Sequence, residues 1–202
     1  WLGVQKQRAE QAGDTAAAMQ WHEQCLPTFR AQGDRRHEAG VLRQLGSLHL
    51  DAGDAQTALQ HMAQALELHQ GLDEPLAHAL LVADMALCQT RLGRSDAARL
   101  ALNGLLARLS GDLAPRPAHE TLAVRWRCQQ VLAALGDARA AALLQQLQAD
   151  VQARALELTD AADRERLIQA RPDFRAIVAA ASASESASAI PPAGFSPGRA
   201  PP

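Results

Sequence analysis

The sequence predicts an all-α protein built from antiparallel helix pairs stacked in an array, and three features lead there. Gly13, Gly53, Gly93 and Gly136 recur at steps of 40, 40 and 43 residues, each between two amphipathic stretches. Asp14, Asp54 and Asp137 follow three of these glycines, and Arg94-Ser95 follows the other. Five residues past each glycine stands an alanine: Ala18, Ala58, Ala98 and Ala141. Self-similarity at a fixed period of this size marks a repeat architecture.

Each feature has a physical reason. Glycine takes the left-handed conformation that closes a helix and satisfies its last carbonyls. The Asp or Ser beside it accepts hydrogen bonds from the free N–H groups that open the next helix. A small side chain at one register lets two helices approach where a leucine would hold them apart. Composition agrees. Only 3 % of the 202 residues are aromatic and none is tyrosine, so the core must be made of Leu, Ala and Val, which suits packed helices better than strands.

The pairs follow in order as 1–33, 34–72, 73–112 and 116–158. Gly33-Asp34 separates the first from the second. Gly71-Leu72-Asp73-Glu74-Pro75 separates the second from the third, with Asp73 or Glu74 as the cap and Pro75 in a first helical turn that tolerates it. Ser110 to Pro117, with Pro115 and Pro117, is the longest break.

Within the second pair, Leu42-Arg43-Gln44-Leu45-Gly46-Ser47-Leu48-His49 resembles the tetratricopeptide repeat signature W-x2-L-G-x2-Y, with Leu for the Trp and His for the Tyr. The likeness continues through Gly53-Asp54, Ala58, Met62 and Ala65-Leu66-Glu67-Leu68. The third pair keeps Val82, Met85, Ala86, Gly93, Ala98, Leu102 and Leu105 at the same registers. The outer pairs depart from it: Lys6 and Gln129 replace the small residue found at Gly46 and Ala86, and Arg125 stands where Leu42 stood. The period exceeds the family's usual 34 residues. It is similar to the extended repeats of large bacterial signalling proteins. The resemblance implies a right-handed superhelix with the first helix of each pair on its concave face.

At the amino-terminal side, Trp1 falls inside the first helix of a pair, leaving Leu2 and Val4 without a neighbour. A terminal repeat needs a polar capping face, so this reads as a truncation, with more repeats and another domain before Trp1. At the other end, Thr159 or Asp160 is expected to cap a short helix that Pro172 ends, followed by a turn or two carrying Phe174, Ile177 and Val178. Residues 159–182 resemble the closing segment L-x-D-x-x-x-R-x-x-F/L with P-x-x-R-x-I/L, found after repeat regions in bacterial ATPase-linked regulators. From residue 183 to 202 the Ser/Ala/Pro composition predicts a disordered tail.

Few chemistries fit this chain. A net charge of −2 and the shortage of aromatics argue against direct nucleic-acid binding. No apolar run approaches the roughly 20 residues needed to span a bilayer, and Trp1 to Lys6 is no signal peptide. Cys25, Cys88 and Cys128 form no Cys-x-x-Cys pair, which fits a reducing, cytoplasmic setting. His22 and Cys25 share a helix face, but no second pair completes a metal site. His49, His61 and His69 have no acidic residue placed to orient them and read as packing or surface residues. Asp160, Asp163 and Glu165 alternate with Arg164 and Arg166 as a charged helix face does. Neither Gly93 nor Gly111 opens a phosphate-binding loop. No nucleophile with a base is visible, so no enzyme, catalytic residue or cofactor is expected.

A protein-binding groove remains. By the resemblance, the registers ten, six and three before each loop glycine point inward. They give Arg43, Ser47 and Leu50, then Ala83, Leu87 and Thr90, then Trp126, Gln130 and Ala133. Trp126 is the large aromatic that could anchor a partner, or else pack on the Ser110–Pro117 loop. The basic-and-Asn clamp that grips a chain terminus in some family members is absent, since Arg43 lacks an Asn four residues on. The expectation is an interaction module, either the sensing or scaffolding arm of a larger bacterial regulator or a free-standing adaptor for a peptide or helix. Its partner is a protein or peptide, or other domains of the same longer polypeptide.

Overall fold

The computed structural model describes residues 15–188. Among these it contains nine helices and no strand. In chain order they are α1 (Thr15–Gln32), α2 (Arg35–Asp51), α3 (Ala55–His69), α4 (Pro75–Arg91), α5 (Ser95–Ser110), α6 (Ala118–Ala134), α7 (Arg139–Leu156), α8 (Ala161–Ala170) and α9 (Pro172–Ser188). Gly13, Asp14, Lys6 and the first helix expected from Trp1 onward lie outside the described residues, as do 189–202. The chain divides into two compact units between Ala140 and Ala141.

In the first unit, the loop glycines act as the sequence requires. Gly53 (φ +88°), Gly93 (+72°) and Gly136 (+65°) are all left-handed, and so are Gly33 and Gly71 between pairs. An Asp then opens the following helix in three of these turns. Asp34 accepts from His37 N at 3.1 Å, Asp54 from Thr57 N at 3.0 Å and Asp137 from Arg139 N at 3.0 Å. The Asp34 carboxyl is held below the ordinary carboxylate range chiefly by the backbone N–H of His37, and that of Asp54 by the Thr57 side chain and then its backbone N–H. One expectation fails here. Glu74 occupies the N-cap of α4 but its side chain makes no capping bond. Its carboxylate is taken by Arg36 Nε at 2.7 Å, and Pro75, which needs no N–H partner, opens the helix.

The α2–α3 seam shows why small residues recur. A Cβ added to Gly46 would sit 2.8 Å from Met62 Cγ and 3.1 Å from the Ala58 carbonyl oxygen. Ala58, Met62 and Ala65 are fully buried. The α4–α5 pair repeats this with Ala86, Ala98, Leu102 and Leu105, all buried. Helices α2, α4 and α6 stand in a row, α4 touching both of the others.

In the fourth pair the register slips. Helix α7 begins at Arg139, three residues after its glycine, whereas α3 and α5 begin two residues after theirs. Ala141 is therefore exposed, and Leu144, Leu147, Val151 and Ala155 form the buried stripe instead. The small-residue register expected at Ala141 does not hold.

In the second unit, Asp160 caps α8 by accepting from Ala162 N (2.6 Å) and Asp163 N (3.3 Å). Arg175 Nη1 donates to the Gln169 carbonyl at 2.7 Å, closing the end of α8. Pro172 starts α9 rather than merely ending α8, and Phe174, Ile177 and Ala181 are buried along it. Helix α9 is far longer than a turn or two and carries residues 183–188, which the composition assigned to the tail. The run Ala179-Ala180-Ala181 explains this, alanine being the strongest helix former.

The seam predicts two substitutions of opposite sign. Ala58→Leu should overpack α2 against α3 and cost about 1–3 kcal/mol. Gly104 lies inside α5 with nothing near its missing Cβ, so Gly104→Ala should add about 0.5–1 kcal/mol. Urea unfolding of both variants checks the pair; a neutral Ala58→Leu contradicts the seam.

Candidate first-helix interface

One carboxylate ties three repeats together. Asp84, on α4, is fully buried. Arg127 Nε on α6 lies 2.7 Å from its Oδ1, and Arg43 Nη1 on α2 lies 3.4 Å from its Oδ2. The arginine side chains are only 22 % and 23 % exposed, so most of each guanidinium stem is out of water. Burial pushes the Asp84 carboxyl above the ordinary carboxylate range, opposed by Arg127 and then Arg43. Arg127 Nη1 also donates to Gln130 Oε1 at 2.9 Å, one turn along α6.

The inward registers meet this ladder unevenly. Arg43 belongs to it and Gln130 supports it. Ser47 is half-buried, and Thr90 is too, its hydroxyl donating to the Ala86 carbonyl at 2.9 Å. Leu50, Ala83, Leu87 and Trp126 are buried in the free chain, and Ala133 is exposed. The carbonyl of Leu50 accepts from Arg91 Nη1 across to α4. Asp84 and Arg127 escaped the sequence reading because they sit nine residues before their glycines, one step off the registers considered. A signal was present: Asp84 is the lone charged residue in the run Leu76 to Cys88, and a charge on such a helix demands a partner.

Two acidic side chains lie near histidines without hydrogen-bonding them. His49 Nδ1 is 3.7 Å from Asp54 Oδ2 and His69 Nδ1 is 3.8 Å from Glu74 Oε2, too long for hydrogen bonds. His49 stacks on His61 with ring centroids 5.4 Å apart. Burial lowers the pKa of His61, His69 and His78, disfavouring the charged form of each ring. His22 and Cys25 are both buried, and among the described residues no group of three or more His, Cys, Asp or Glu is placed to hold a metal. Burial drives the Cys88 and Cys128 thiols up to about 12, far from the thiolate a nucleophile needs. No helix of the described residues is long and apolar enough to cross a membrane.

Left-handed glycine turns, small-residue seams and a row of first helices define a TPR-like helix-pair repeat protein. Solved structures agree. The TPR-like repeats of a kinesin-light-chain-like protein from Podosopora anserina match with a TM-score of 0.56 and 16 % identity, over 93 % of this chain and 94 % of that one. A second crystal structure of such repeats gives 0.55 and 16 %, over 93 % and 95 %. No family model matches the chain, and no curated protein does. At this identity the likeness establishes the fold.

Removing Asp84 should be costly. Asp84→Ala leaves two mostly buried guanidiniums without their carboxylate, and should lower stability by about 2–3 kcal/mol, less than a wholly buried pair because both heads still meet water. Urea unfolding measures it; a change under about 0.5 kcal/mol would contradict the ladder. Acid supplies a second check. The lowered histidines bind protons more weakly folded than unfolded, so stability is full above about pH 6.5 and falls as pH drops below it. Asp84, shifted upward, works in the opposite sense. Replacing His61, His69 and His78 together by Gln should flatten the fall in melting temperature between about pH 7 and pH 5.

Proposed function

We propose that this chain is a protein–protein interaction module whose working face is the row of first helices α2, α4 and α6. On this reading it is the sensing or scaffolding arm of a larger cytoplasmic bacterial regulator, binding a protein, a peptide or other domains of the same polypeptide. The observation that carries it is the face itself: Arg43, Ser47, Thr90, Arg127 and Gln130 offer half-buried polar groups along three adjacent helices. Stacked repeats use such extended surfaces for binding. Buried Leu50, Leu87 and Trp126 would then act by holding the face in shape, with the rim of Trp126 as its aromatic contact. The forty-residue period and the closing segment at 159–182 support the regulator reading, with residues 1–158 as the repeat array.

Capture from lysate of the source organism tests it. The chain should retain a protein that a Ser47→Arg/Gln130→Arg variant loses at least about tenfold, while a Leu100→Arg control on α5 keeps it. Retention that ignores the first-helix substitutions overturns the proposed face.

A further inference from the structure

The ladder is unbalanced. Two guanidiniums share one carboxylate, so Arg43, Arg127 and Asp84 carry a net charge of +1 with Asp84 ionised, and more if it holds its proton. Arginines that are about three-quarters covered have lost much of their hydration, and an unmatched buried charge is costly. Among the described residues Asp84 is the carboxylate that pairs with Arg43 and with Arg127, while Glu74, at the start of α4, is taken by Arg36. Each guanidinium has five N–H donors, and the ladder uses few of them. Arg127 meets Oδ1 and Arg43 meets Oδ2 of the same carboxylate, so a second carboxylate placed beside Asp84 would lie near both heads.

From this geometry we infer that the first-helix face selects an acidic partner segment, an Asp or Glu side chain docking between Arg43 and Arg127 above Asp84. The inference rests on the interaction reading and names the chemistry of its partner. The added carboxylate supplies the missing charge and forms charge-assisted, forked hydrogen bonds with heads already held in place by Asp84 and Gln130. Asp84 is then a positioning residue and also the internal competitor of the ligand. Since the whole chain carries a net charge of −2, attraction of an acidic segment must come from this local excess.

The test uses the full chain, labelled with nitrogen-15, and a hexaglutamate peptide acetylated and amidated at its ends so that only side-chain carboxylates are offered. Saturable shifts should appear at the Nε signals of Arg43 and Arg127 and at α2, α4 and α6 amides, and weaken with salt. Hexaglutamine should give none. Arg43→Gln or Arg127→Gln should cut the affinity about tenfold or more, and the Lys variants, which keep the charge but lose the fork, by less. Asp84→Asn should tighten binding severalfold, which a merely structural carboxylate would not do. If Asp84→Asn does not fold, the Gln and Lys series decides alone. Equal shifts with hexaglutamine, shifts elsewhere, or indifference to both arginines overturn the inference. So does a response to inorganic phosphate without one to hexaglutamate. A captured protein that depends on Ser47 and Gln130 but not on Arg43 and Arg127 would sink the acidic partner and leave the interaction face standing.

Discussion

A helix that meets a glycine held at φ +88°, +72° or +65°, as at Gly53, Gly93 and Gly136, can reverse within two or three residues, and the array hangs on that reversal. A residue with a Cβ would resist the left-handed turn by about 1–2 kcal/mol. Once the turn is fixed, the two helices of a pair run back along each other, and the residues that face across the seam are determined. Gly46 meets Ala58 and Met62 because the turn at Gly53 brings them together. The pairs then line up their first helices, and that alignment brings Arg43, Asp84 and Arg127 to one place.

The ladder does not exist for stability alone. A buried ion pair gains little over well-packed apolar residues of the same size, because desolvation offsets most of the attraction. Yet Asp84 sits in the middle of a helix that is otherwise almost wholly apolar, with partners supplied by the helices on both sides. A slip of α2 or α6 would strand the carboxylate, which disfavours other stackings of these helices. Asp84 also places two cations where a binding face is expected. Held from beneath, they lose little freedom when a ligand arrives.

Local chemistry was the legible part. The turns at Gly53, Gly93 and Gly136, the caps at Asp34, Asp54, Asp137 and Asp160, and Pro75 at a helix start all depend on neighbours a few residues away. Glu74 misled because its carboxylate had a competitor 38 residues back, Arg36, which the local pattern does not show. Ala141 misled because α7 begins one residue later after its glycine than α3 and α5 do, and its buried stripe starts at Leu144. The site was less legible still. Arg43 and Gln130 were picked out by register, but the register does not show Asp84 and Arg127, because pairing across 41 and 43 residues is a property of the stack. Leu50, Leu87 and Trp126 were assigned to the face by phase, yet all three are buried, and phase alone does not separate a lining residue from a supporting one.

That the first helices form the working face is best tested by hydrogen exchange of the chain, free and bound to a protein captured through it. Protection should gather on α2, α4 and α6, strongest around Arg43, Asp84 and Arg127, with α3 and α5 exchanging as before. Protection gathered instead on α3 and α5, with the first helices unchanged, would contradict the account.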